Sequence, residues 1–361
     1  MIDFQPTDEQ QLVIDTVRQF AQNEIRPVAR ECEEAGKLPE KVLAAAHELG
    51  LVANALPESA GGGGERSAVT GALIAEELAW GDLAIALAIL SPGLSALPIA
   101  EWGDEAQQQA LARFVGPSFV PGSLAIVEPR FDSDAFRPAT TAKRDGDGYV
   151  LDGAKCFVPW LDGGAETLVL ASEDGTPQLF VVPRDAAGLR AEPERKMGIT
   201  ALPTAELTLS GVRVPAAARL GGAGGVDLRR LVAQGRVAMA AMAVGVARAA
   251  FEVARDYAKE RHVFGVPVAT KQAIAFKLAD MAIEIDGARL LAWEAAWKLD
   301  RGEDATREAL LARRQAARMA LDVADGAVQV LGGHGYIRDY LPELHLRNAR
   351  GFASFEALAL V

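Results

Sequence analysis

The 361 residues carry 37 basic and 49 acidic side chains, a formal net charge of −12, with 50% of positions hydrophobic and 24% charged. A chain of this length can bury a large core, enough for two or three domains, and its acidity gives no electrostatic case for binding nucleic acid or an anionic membrane. Two cysteines, Cys32 and Cys156, make neither a disulfide framework nor a metal-ligand set, so no metal is expected.

The opening letters, MIDFQPTDEQQ, lack the basic and apolar regions of a secretory signal, and no purely apolar run reads as a membrane span. A cytoplasmic protein is therefore expected. In TDEQQLVIDTVRQFAQNEI, Thr7 reads as a helix N-cap with Gln10 at capping-box spacing, and Leu12, Val13, Val17, Phe20 and Ile25 recur near helical period. PEKVLAAAHELG predicts a second helix ending at Gly50, and Gly61 to Gly64 predict a loop that is either flexible or closely packed. Residues 1–122 are read as an N-terminal α-helical domain.

The pattern changes near Pro121. RDGDG precedes YVLDG as a hairpin turn would, SEDGTP separates TLVLA from QLFVV, and AELTLSGVRV alternates with period two. Helical crossovers are missing from the pattern, so residues 123–225 predict an antiparallel β-barrel or sandwich. After Gly221–Gly225 the helical period returns. Ile274, Leu278, Met281 and Ile285 form one apolar face, and a further helix runs to Gly332–Gly333, making residues 226–361 a four-helix bundle.

The last stretch, RNARGFASFEALALV, holds a single acid, Glu356. Composition alone favours a solvated carboxylate on a frayed segment. Its sequence neighbours Gly351, Phe352, Phe355, Ala357 and Leu358 supply no counter-charge, and such apolar company is expected to raise a carboxylate's pKa and strengthen it as a base.

YAKERHVFGVPVATKQAIAFKLADM and AVQVLGGHGYIRD resemble the C-terminal motifs of the acyl-CoA dehydrogenase family, and the likeness extends over nearly the whole length. ELGLVANALPESAGGGG, VEPRFDSD and GVRVPAAARLG resemble the family's intermediate landmarks in the same order. The resemblance implies a helical domain, a middle β domain and a helical bundle, with FAD between the last two. It implies loss of an acyl-CoA α-proton to a glutamate and of a β-hydride to flavin N5, giving a trans-2-enoyl-CoA. Electrons usually leave to an electron-transfer flavoprotein. By register, Glu356 takes the place of the base, with Phe355 beside it at the substrate; Phe355–Glu356–Ala357–Leu358 stands where the family usually has Tyr-Glu-Gly-Thr. Some members place the base at the start of the first long helix after the β domain, a position read here as Arg229, and an arginine cannot serve as a base. Asp227 and Arg230 match positions that hold the CoA arm.

The resemblance divides the cofactor site into two halves. Arg261, Phe264, Gln272, Gln329, Gly332 and Gly333 match positions that grip the FAD pyrophosphate and adenosine across a subunit boundary, which suits guanidinium–phosphate pairing and close backbone approach. The flavin-ring half departs from the family pattern. Val127 replaces a hydroxyl while Ser133 survives, and Phe157 and Pro159 stand where a Trp and a Thr or Ser usually flank the ring. Pro159 offers neither hydroxyl nor N–H. Leu358 replaces another polar contact. Two assemblies follow as expectations. One is a homotetrameric dehydrogenase; the other is a hetero-oligomer in which this chain mainly lends the nucleotide half to a partner.

Overall fold

The computed structural model describes residues 5–361; the first four letters of MIDFQPTDEQQ lie outside it. Helix α1 (Asp8–Phe20) begins with the expected box: the Thr7 hydroxyl accepts the Gln10 N–H at 3.2 Å, and the Gln10 side chain accepts the Thr7 N–H at 3.0 Å. Helices α2 (Ala29–Ala35) and α3 (Glu40–Glu48) follow, and Gly50 leaves α3 with φ +69°. Of the two alternatives for the glycine loop, close packing is what occurs. A Cβ on Gly62 would collide with the Leu56 carbonyl, and one on Gly63 with the Asn54 backbone.

Helix α4 (Ala68–Gly81) leads through Asp82 into α5 (Leu83–Leu90) and α6 (Pro92–Trp102), with α7 (Glu105–Gln108) a short turn after them. Asp82 accepts the Ile85 N–H at 2.9 Å and caps α5. Leu83–Trp102 has the length and apolarity of a membrane span, as does α8 (Leu228–Glu260). Yet 94% and 78% of their most apolar windows are buried inside the protein, which makes them core helices.

The β domain holds β1 (Leu124–Ala125), β2 (Thr141–Asp145), β3 (Gly148–Pro159), β4 (Glu166–Glu173), β5 (Thr176–Pro183), β6 (Leu189–Pro193) and β7 (Thr204–Pro215). They form one sheet in the order β1-β4-β2-β3-β7-β6, with β5 also on β4. The sheet is antiparallel through β2–β3–β7–β6 and β4–β5, but β1 and β2 run parallel to β4, a departure from the purely antiparallel expectation. These parallel pairings are short, and the β2–β3 hairpin rather than a helix lies in the chain between β1 and β4, so periodicity gave no sign of them.

After the β domain, α8 is followed by the hairpin β8 (His262–Val263) and β9 (Val266–Pro267), then α9 (Gln272–Asp300), α10 (Thr306–Leu331), α11 (Gly333–Tyr336) and α12 (Pro342–Gly351). Met281 and Ile285 of the predicted apolar face are buried. One ionic network ties the N-terminal helices to the bundle. Arg248 of α8 donates to Glu76 at 3.0 Å and to Glu77 at 2.6 and 2.7 Å, Arg18 of α1 reaches Glu77, and Arg289 of α9 reaches Glu76. Buried acids are tolerated here because each is met by guanidinium donors.

Candidate functional site

Glu356 follows α12 and a turn, and its side chain is 17% exposed, so it is not a solvated acid on a frayed segment. Two guanidiniums face it. Arg236 of α8 donates from Nε to Oε1 at 2.9 Å, and Nη2 of Arg313, on α10, lies 3.6 Å from Oε2. Arg313 also donates to the Phe355 carbonyl at 2.6 and 3.2 Å, which fixes the backbone just before the acid. The expectation of a carboxylate without counter-charge is therefore corrected. Its chain neighbours are apolar, but its neighbours in space arrive from helices 120 residues and more than 40 residues away.

Neither arginine is singled out by motif or register. The available signal is an arginine inside VAQGRVAMAAMAVG, an apolar run in which a charge must find a partner. The helix positions that approach Glu356 lie farther along α8 than Arg229, the position matched to the base of some family members. Arg229 is exposed near the start of α8, on the side of Asp304. Gly235, nearly two turns on, is the residue whose Cβ would lie 2.5 Å from that of Ala357. Asp227 caps α8 through the Arg230 N–H at 3.1 Å, while the Arg230 side chain pairs with Glu101 and donates to the Leu299 carbonyl at 3.0 Å.

The β domain meets this acid through two rings. Phe157 packs edge-on against Phe355 with centroids 5.9 Å apart. Phe157 sits at a break in the β3–β7 register with φ +54°, and its N–H is held by Glu194 at 3.0 Å. A non-glycine residue in that region is an outlier that surrounding contacts have to enforce. Pro159 pairs with Thr204 inside the sheet, and the Val127 carbonyl accepts the Cys156 N–H at 2.9 Å.

The loop from Val127 to Asp134 is fastened from below. Glu128 accepts the N–H groups of Ala139 and Thr140 at 2.9 and 2.8 Å and pairs with Lys155 at 3.0 Å, while the exposed Ser133 accepts the Glu128 N–H at 3.0 Å. Burial pushes the Lys155 amine down to about 8, with Glu128 opposing the fall. Burial would raise the Glu128 carboxyl, but Lys155 and the two N–H donors outweigh it and hold it below the ordinary range. Burial, with Glu194 and Glu206 adding, pushes the Cys156 thiol up to about 12, so it is no ready nucleophile.

The nucleotide-half positions gather elsewhere, at the far end of the bundle. Arg261 ends α8, Phe264 stands on the β8–β9 hairpin with 93% of its surface exposed, and Gln272 opens α9. Gln329, Gly332 and Gly333 close α10. A hydrogen bond between Tyr257 and His334 at 2.9 Å holds the ends of α8 and α10 side by side. Among the described residues no carboxylate pairs with Arg261, and a Cβ on Gly332 or Gly333 would meet nothing within 4 Å. A free guanidinium beside open glycine backbone fits a pyrophosphate. Along α8 the 25 residues from Arg236 to Arg261 span about 37 Å at 1.5 Å per residue, so the Glu356 cluster and Arg261 lie at well-separated parts of the bundle. No His/Cys/Asp/Glu group among the described residues could hold a metal. A groove of about 760 Å³ between α1, α4 and α9, beside Trp293 and Trp297, contains none of these residues.

Family models for the acyl-CoA dehydrogenase N-terminal, middle and C-terminal domains match residues 7–115, 123–212 and 223–356. The chain is 38% identical over 360 residues to the probable acyl-CoA dehydrogenase YngJ of Bacillus subtilis, covering 97% of this chain and 94% of that protein. Among solved structures, butyryl-CoA dehydrogenase from Megasphaera elsdenii matches with a TM-score of 0.89 and 32% identity, over 98% of this chain and 96% of that one. A glutaryl-CoA dehydrogenase from Mycobacterium smegmatis in complex with FADH2 matches with a TM-score of 0.88 and 28% identity, over 97% and 91%.

Proposed function

The chain belongs to the acyl-CoA dehydrogenase family of oxidoreductases, and from that premise we propose that it removes the α-proton of an acyl-CoA through Glu356 and yields a trans-2-enoyl-CoA. Bound FAD would supply the acceptor for the β-hydride. The observation that carries the reading is the position of Glu356 where the bundle meets the β domain, one residue past the Phe355 ring that packs on Phe157. A carbon acid beside a thioester needs a base held within reach of its α-proton. Arg236 and Arg313 do the holding: with one guanidinium on each carboxylate oxygen, the acid has a defined orientation before any substrate arrives. Phe157 and Phe355 pack on each other one residue before it. Phe264, Arg261, Gln272, Gln329, Gly332 and Gly333 would hold the adenosine and pyrophosphate, and Val127, Ser133, Phe157 and Pro159 would border the flavin ring.

The span of α8 supports an oligomer in which each chain's nucleotide half serves a neighbour's flavin. We read this as a homotetramer in the cytoplasm that hands its electrons to an electron-transfer flavoprotein. One observation favours the hetero-oligomeric alternative: the nucleotide half is open, whereas the flavin-half groups at Val127, Phe157 and Pro159 are already spent on the protein's own sheet and loops. Purifying the chain alone decides between them. One FAD per chain, bleached anaerobically by an acyl-CoA, is the expected result. A colourless protein that gains flavin only with a second chain favours the alternative. For the base, Glu356→Gln should bind acyl-CoA yet lose flavin reduction; retained reduction removes Glu356 from the role.

A further inference from the structure

We propose that Glu194 and Asn348 are positioning residues for the reaction, and that the connection between β6 and β7 is a brace that sets Phe355 of the bundle against Phe157 of the β domain. The proposal rests on Glu356 being the base, since Phe355 immediately precedes it. Two residues in this region hold a conformation that residues other than glycine rarely adopt. Phe157 has φ +54°, and Ile199, on the connection itself, has φ +46°. Each has its N–H held by a side chain. Phe157 donates to Glu194 Oε1 at 3.0 Å, and Ile199 donates to Oδ1 of the buried Asn348 on α12 at 2.7 Å.

These bonds close a circuit. Helix α12 carries Asn348, which holds Ile199, and residues 194–203 lead from there back to Glu194, which holds Phe157. The Phe157 ring meets Phe355, and Phe355 follows α12. Further contacts stiffen the connection along its length. Arg347 of α12 donates to the Met197 carbonyl at 3.2 Å, and Thr200 Oγ1 donates to the Glu33 carbonyl of α2 at 3.0 Å. Lys196 Nζ donates to the Leu202 carbonyl at 3.0 Å and to Thr204 Oγ1 at 2.9 Å. A Cβ on Gly198 would lie 2.5 Å from the Arg347 carbonyl, so the connection touches α12 through bare backbone. The N-terminal helices, the β domain and the bundle all meet on this one stretch.

Stability does not explain the arrangement. The β3–β7 register breaks between Lys155 and Val158, and Phe157 has no partner in it. A strained φ persists only where its surroundings over-determine it. The second carboxylate oxygen of Glu194 is buried with no hydrogen-bond partner, a cost that a residue serving stability alone would avoid. Glutamine there would offer Phe157 the same acceptor without the charge. What the circuit achieves is a fixed ring contact, 5.9 Å between centroids, one residue from the base, where Arg313 also holds the Phe355 carbonyl. Displacing a reacting group by about 1 Å costs roughly a hundred-fold in rate, so a rigid seat at this point is worth strain beside it.

The test uses the full-length, FAD-loaded protein with butyryl-, octanoyl- and palmitoyl-CoA as probes. In Glu194→Ala, amide exchange at Phe157, followed by mass spectrometry, should speed about ten-fold or more as its hydrogen bond is lost. Flavin reduction should slow about ten-fold or more, with FAD content and the half-saturating acyl-CoA concentration unchanged. Glu194→Gln keeps the acceptor and should restore both rates. Asn348→Ala, at the opposite end of the circuit, should also speed exchange at Phe157, which a purely local role would not do. Unchanged reduction in Glu194→Ala, a Glu194→Gln variant as slow as Glu194→Ala, or Phe157 exchange that ignores Asn348→Ala each overturns the proposal. Glu356→Gln separates the inference from its premise. Flavin reduction that survives there, or a parent that no probe reduces, sinks the base and the brace's role with it. Reduction that is lost there yet intact in Glu194→Ala sinks only the brace.

Discussion

Helix α8 carries two regions that treat their polar groups in opposite ways. At its C-terminal end Arg261 and the adjoining Phe264 are exposed, and Gly332 and Gly333 beside them face open space. Some 37 Å along the same helix, Arg236 is spent on Glu356, Arg313 on Glu356 and the Phe355 carbonyl, and Leu358, Leu360 and Val361, which follow, are buried. The first region is unfinished within the chain, as a surface completed by a ligand and a neighbour would be. The second is finished by the chain itself, its charges paired with one another. The contrast teaches that one long helix can leave its donors free at one end and spend its charges within the chain further along.

Changes at the closed region should have the largest effect. Glu356→Gln is expected to cut the rate of flavin reduction by acyl-CoA roughly 10²–10⁴-fold, read by stopped-flow bleaching, with ligand binding retained. At the open region, Arg261→Ala should weaken FAD by about ten- to a hundred-fold, the worth of a lost charge-assisted contact, and leave the fold's melting curve unshifted once FAD is removed. If instead the apoprotein melts lower, Arg261 is structural and the contrast between the regions fails. Arg236→Leu should lower kcat roughly ten-fold at unchanged FAD content, since it loosens one oxygen of the acid without touching the nucleotide half.

The smallest effect lies outside both regions and guards against reading general instability as loss of function. Burial pushes Asp82 up to about 6, against the opposing N–H groups of Ile85 and Ala84. Between about pH 4 and 6 the folded state then binds more protons than the unfolded one, so this group costs stability as pH rises through that window. Asp82→Asn keeps the cap and should remove that slope, gaining up to roughly 2–3 kcal/mol above pH 6 in thermal melts. A variant with the parent's pH profile would refute the assignment.

Much of the fold was legible locally. Thr7 and Gln10 announced a capping box, Gly50 and Gly332 marked helix ends, and a two-residue period marked the middle domain. The parallel pairing of β1 and β2 with β4 was not legible, because two to five residues of strand carry no directional signal in their letters. At the site, the register of Glu356 could be read, and so could the open glycines. The helix positions facing it could not: Gly235 and Arg236 come up against this segment, and no motif marks either of them.

The sequence by itself determined the order of helical, β and helical segments, because hydrophobic period, caps and turn residues act within a few positions of one another. It also determined which letters could perform proton abstraction and phosphate binding. Tertiary structure alone decided that Glu356 stands between two guanidiniums, that Arg236 and Arg261 lie some 37 Å apart along α8, and that the apolar residues after Glu356 are buried. Charge pairing and burial act through space between residues dozens to more than a hundred positions apart, and no local pattern encodes which of many arginines will arrive.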